Sequence, residues 1–121
     1  MSELNELRDK IHATAVDKGW WDQPREFGTV IALIHSELSE ALEEYRKGYE
    51  PDHIYCMHSD ITAPHLEGTN CKPEGVPIEL VDAIIRILDY CGRAGIDVDA
   101  AMEYKLTYNL SRAYRHGGKV V

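Results

Sequence analysis

The chain has 121 residues, 44% of them apolar and 28% charged, with a formal net charge of −8. That is the size of one domain, residues 1–121, with a globular composition. The negative balance argues against binding a nucleic-acid polymer, which needs a basic surface. No apolar run approaches the roughly 20 residues that cross a bilayer, so no membrane partner is expected. Met1-Ser2-Glu3-Leu4-Asn5-Glu6 is acidic at once and does not read as a secretory signal, so the expected compartment is the cytoplasm. A reducing compartment and an odd number of cysteines, Cys56, Cys71 and Cys91, predict no disulfide framework.

Helical periodicity dominates. The first helix is predicted over 3–18, with Ser2 as N-cap and an apolar stripe of Leu4, Leu7, Ile11 and Ala15. Gly19 ends it. In the connector that follows, Trp20 and Trp21 have two readings: a staple between helices, or a ring that stacks on a nucleobase.

The second helix is predicted over 25–47. Phe27, Val30, Ile31, Ile34, Leu38, Ala41, Leu42 and Tyr45 fill an arc of roughly 120°. Glu37, Glu40 and Glu44 lie along one border of that arc. Residues 49–76 break the pattern with prolines, glycines, three histidines and two cysteines, a long irregular loop of the kind that is usually functional or disordered.

The third helix starts at Pro77 and runs to Tyr90 or Cys91. Apolar residues surround it almost completely, which predicts burial, with Cys91 as a buried thiol. Its charges, Glu79, Asp82, Arg86 and Asp89, fall within roughly 80° of one another. Asp97 is placed to cap a fourth helix over 98–115, where Lys105, Asn109 and Arg112 share a face. His116 to Val121 form a tail.

Acids striped along a buried helix need compensation, because ionised carboxylates are costly to remove from water unless paired or metal-bound. Arg86 can neutralise one; a divalent cation resolves the rest. Facing Glu-x-x-Glu and Glu-x-x-Asp pairs bring four carboxylates, Glu37, Glu40, Glu79 and Asp82, from two helices to one site. With no histidine in either stripe, oxygen-only ligation points to Mg²⁺ or Mn²⁺. The chemistry expected of such a site is hydrolysis of a phosphate ester or anhydride.

These residues resemble the all-α nucleoside triphosphate pyrophosphohydrolases of the MazG-like branch. The resemblance rests on Ser36-Glu37-Leu38-Ser39-Glu40, Glu79-Leu80-Val81-Asp82, Lys72 to Pro77, Lys105-x-x-x-Asn109-x-x-Arg112 and Tyr114 to Lys119, and so spans nearly the whole chain. It implies a four-helix-bundle-like fold that assembles as a homodimer or homotetramer. It implies Mg²⁺ at the four acids, water attacking the α-phosphorus of a (deoxy)nucleoside triphosphate, and pyrophosphate leaving. Lys105, Asn109 and Arg112 resemble the residues that contact phosphate and sugar. A purine nucleotide such as dGTP is one substrate the reading admits. The resemblance departs at Ser36, where the family carries a further Glu; Glu44 and Asp89 are candidate replacements, and a metal-bound hydroxide that needs no separate base is the alternative.

Two other readings stand beside this one. A non-catalytic oligomeric helical module would pair the acidic stripe with a partner's Lys and Arg. A zinc site would use Cys56, His58, His65 and Cys71, although their spacing fits no common motif. Gly117-Gly118-Lys119 lies at the chain end, so it does not make a phosphate-binding loop.

Overall fold

The computed structural model describes residues 2–56, 59–60 and 71–112. They form four helices, α1 (Glu3–Asp17), α2 (Phe27–Arg46), α3 (Val76–Ala94) and α4 (Val98–Ser111), with two short strands, β1 (Tyr55–Cys56) and β2 (Ser59–Asp60). The all-helical expectation holds, and the helix starts fall within two residues of those read from periodicity. His58, His65 and the stretch from Ala113 onward, with the Tyr114–Lys119 match, lie outside the described residues.

α3 is the centre of the packing. It lies along α2 over the greatest length and along α1 over less, while α4 meets α1. α1 and α2 thus each pack on α3, and α4 flanks α1. Only one side of α3 is covered. Val76, Ala83 and Leu88 are buried, but Leu80, Val81, Ile84, Ile85 and Ile87 are 40–51% exposed. This corrects the expectation of a fully buried helix. A helix that is apolar all round needs neighbours on all sides, and among the described residues α3 packs chiefly on α1 and α2. Cys91 is half-buried, and that burial raises its thiol pKa against the opposing charge of Arg8.

The ends of α1 and α4 cap each other. Asp99, 3% exposed, accepts hydrogen bonds from the backbone N–H of Leu4 (3.1 Å) and Asn5 (3.0 Å). Asn5 replies: its Oδ1 accepts from Val98 N–H at 2.8 Å, and its Nδ2 donates to Asp97 at 2.9 Å. Asp97 also caps its own helix, accepting from Ala100 N–H at 3.0 Å, as its position predicts. Hydrogen bonds from Asn5 and Ala100 hold the Asp97 carboxyl below its ordinary pKa. Ser2 occupies the expected N-cap position of α1 but makes no cap; its hydroxyl donates to Glu6 at 3.0 Å. The orphan N–H groups of α1 are satisfied from across the molecule instead.

The described residues of the interruption before α3 are paired locally. Tyr55 pairs with Asp60 and Cys56 with Ser59, and Tyr55 also bridges to Glu74 through backbone bonds of 3.0 and 2.7 Å. Cys56 and Cys71 form a disulfide, which corrects the expectation of no disulfide. Compartment and cysteine parity say nothing about which thiols the chain brings face to face. Gly75, at φ 122°, passes so close to the carbonyl of His53 that a side chain there would collide with it. These contacts fix the start of α3, the turn that carries Glu79.

Candidate functional site

Three carboxylates meet between α2 and α3. Ligand atoms of Glu37, Glu40 and Glu79 all lie within 4.8 Å of one another. Glu37 and Glu40 are one turn apart on α2, so they point the same way. Glu79 comes from the first turn of α3. Its Oε2 is buried, with no hydrogen-bond partner among the described residues.

The electrostatics follow from this crowding. Burial, then the neighbouring Glu40 and Glu37, push the Glu79 carboxyl up to about 7. Burial also acts to raise Glu37, but the Arg86 hydrogen bond and those shared with Glu40 and Glu79 outweigh it and hold Glu37 below the ordinary range. Ionised carboxylates offer one another only acceptors. Protonation of Glu79 relieves the crowding, in keeping with its raised pKa.

Asp82 stands outside this tight trio but shares a cavity wall with Glu37. Burial and the charge of Glu37 raise its pKa, while Arg86 and Lys72 act against the rise. The sequence places four acids together; three are in mutual ligand range, and the fourth, Asp82, shares the cavity lining with Glu37 alone of the trio.

The cavity has a volume of about 450 Å³ and is bordered by α1, by α3 and by Glu37 of α2. Leu7, Ile11, Thr14 and Ala15 of α1 face Ile85 of α3 across it, with Lys10 and Lys18 also on the α1 wall and Trp20 beside them. Thus much of the apolar stripe of α1 lines a cavity. Sequence reasoning did not place α1 at the site, although the stripe was the signal for it.

Arg86 pairs with Glu37 of the opposite helix at 2.9 Å, not with an acid of its own stripe. The two tryptophans, indistinguishable in sequence, separate in the structure. Trp20 is 43% exposed and lines the cavity, with the guanidinium groups of Arg25 and Arg86 at 4.6 and 5.2 Å from its ring. Trp21 is held as a staple: its Nε1 donates to Asp89 at 3.0 Å, and Arg93 lies over its ring.

Asp89 also meets Nδ1 of His12 at 2.8 Å, so it is engaged in joining α1 to α3. Glu44 is buried and accepts from the Tyr55 hydroxyl at 2.8 Å. Burial and that carboxylate raise the Tyr55 pKa. The Ser36 hydroxyl donates to the Leu33 carbonyl at 2.6 Å.

Lys105, Asn109 and Arg112 do not line the cavity. The charged ends of Lys105 and Arg112 sit 5.1 and 5.7 Å from the Tyr108 ring on α4, and the Asn109 carbonyl accepts from the Arg112 N–H. Of the four residues the rival zinc reading would use, Cys56 and Cys71 are joined to each other. No helix among the described residues is long and apolar enough to cross a membrane. Compared with known protein families, characterised proteins and solved structures, the chain matches none.

Proposed function

We propose that this protein is a metal-dependent hydrolase of the MazG-like kind, cleaving (deoxy)nucleoside triphosphates to monophosphate and pyrophosphate. The observation that carries the reading is the trio Glu37, Glu40 and Glu79, with a buried oxygen on Glu79 that has no hydrogen-bond partner among the described residues. That oxygen fits a cation: an unpaired buried acceptor is costly, and three oxygen donors suit Mg²⁺ or Mn²⁺.

Glu37, Glu40 and Glu79 would hold the ion, with Asp82 the fourth ligand or the group that accepts a proton from water. When bound, the ion supplies Lewis acidity at the phosphates and makes a nearby water more acidic. The reaction consumes one water: its oxygen joins the α-phosphorus, the bond to the bridging oxygen breaks, and pyrophosphate departs. The cavity is the place for sugar and base, with Trp20 as its aromatic wall and Trp21 behind it as a support. Lys105, Asn109 and Arg112 reach a substrate only where a second copy brings α4 to the acids.

Assembly as a homodimer or homotetramer belongs to the same proposal. Leu38, Leu42 and Tyr45 of α2 and Leu80, Val81 and Ile84 of α3 are 45–60% exposed, and Tyr104 and Leu110 of α4 are 77% and 89% exposed. Apolar exposure on that scale marks an interface. The same faces favour the second reading, an oligomeric module without catalysis.

A panel of nucleoside triphosphates with Mg²⁺, dGTP among them, separates the two. The hydrolase releases monophosphate and pyrophosphate, and Glu40→Gln or Asp82→Asn lowers turnover at least about 100-fold. Diphosphate as product, or no turnover with any nucleotide, overturns the proposal.

A further inference from the structure

We infer that Arg86 binds the phosphate chain of the substrate. This deepens the hydrolase reading and rests on it. A triphosphate brings several negative charges to a site that already holds four carboxylates, so cations must meet it. The cations that the family resemblance implies for this task, Lys105 and Arg112, lie over Tyr108 on α4, away from the cavity of their own chain. Arg86 lies one turn after Asp82 on α3 and lines the same cavity as Glu37 and Asp82.

Its guanidinium is held at one edge and open at the other. Nε donates to Glu37 Oε1 at 2.9 Å, and the Trp20 ring lies 5.2 Å from Cζ. The other two nitrogens, Nη1 and Nη2, carry four N–H donors, and among the described residues only Nε finds a hydrogen-bond acceptor. A planar fork with idle donors, fixed between an aromatic ring and a carboxylate, is suited to phosphate oxygens. The Glu37 bond also ties the fork to the acid trio, so phosphate and cation would be gripped by connected groups. Lys10 and Lys18 lie on the α1 wall of the cavity, across from α3. Arg86 alone among these cations is bonded directly to an acid of the trio.

A purely structural Arg86, present only to neutralise Glu37, makes different predictions. Arg86→Lys retains a positive charge for Glu37 but loses the second edge of the fork. Arg86→Gln keeps a donor without charge and serves as a second variant should the first fold poorly, as judged by thermal melting. The probes are Mg²⁺-pyrophosphate and Mn²⁺ alone by calorimetry, together with nucleotide kinetics.

A phosphate-binding Arg86 predicts that Arg86→Lys weakens pyrophosphate binding and raises KM about 10- to 100-fold, with Mn²⁺ affinity and melting temperature unchanged. Pyrophosphate affinity within about twofold of wild type, or a loss matched by an equal loss of Mn²⁺ affinity, overturns the inference. Should the wild type hydrolyse no nucleotide, the hydrolase reading falls by itself; failure of the wild type to bind Mg²⁺-pyrophosphate would separately overturn the role of Arg86.

Discussion

Glu79 is where the account can be pressed hardest at the level of single residues. Its folded pKa of about 7 lies above the ordinary value of 4.5. Between those values the folded state holds more protons than the unfolded state, so stability falls as pH rises through that window. Without divalent ions, the melting temperature is expected to drop from about pH 5 to about pH 8. Glu79→Gln should flatten the drop, and so should saturating Mg²⁺, which replaces the proton. A wild-type slope of the opposite sign would contradict the crowding described. Asp99 offers a second test. Asp99→Ala leaves two N–H groups of α1 without acceptors and should cost about 1–2 kcal/mol, whereas Ser2→Ala should lie within about 0.5 kcal/mol of wild type. Denaturant unfolding reads both. Sequence predicts the reverse order, because capping by Asp99 spans 95 residues of chain and no local pattern reveals it. Asp97 was legible because its partner, Ala100, is three residues away.

Among the elements, α2 and α3 were read well, because their apolar residues and carboxylates follow the helical period. What the period cannot supply is the neighbour of each face. It placed Glu37 and Glu79 on borders that meet, but it also implied a buried α3 where the single chain leaves one side open. It gave the stripe of α1 without showing that the stripe lines a cavity. The approach of α1 to α3 depends on Gly92, where a Cβ would lie 2.6 Å from Cβ of His12 and 3.4 Å from Cγ of Arg8. In an open helix Gly→Ala stabilises by about 1 kcal/mol. Here the contact with His12 reverses the sign, since overpacking typically costs about 1–3 kcal/mol. Gly92→Ala is therefore expected to destabilise. A gain in melting temperature would show that α1 packs more loosely than described. The loop before α3 illustrates a different limit: its prolines and glycines signal irregularity, but the Cys56–Cys71 link and the Tyr55–Glu74 bridge depend on side chains and strands meeting across a gap in sequence.

For the whole molecule, one chain does not satisfy its own apolar surface. α4 packs on α1 and carries Tyr104 and Leu110 in the open, while α2 and α3 expose Leu42 and Ile84. We expect light scattering coupled to gel filtration to give twice or four times the 13.7 kDa chain mass at micromolar concentration. Leu42→Glu and Ile84→Glu should shift the protein toward monomer. A monomeric wild type at that concentration would remove the route by which Lys105, Asn109 and Arg112 reach a substrate.

Calorimetric titration of Mn²⁺ into the nucleotide-free protein addresses the claim on which the rest stands, that acids from α2 and α3 share a hard divalent ion. Saturable binding that releases protons near pH 7, and that Glu79→Gln and Glu37→Gln each weaken, is the predicted result. Binding unchanged in both variants, or no saturable binding in the wild type, would contradict it.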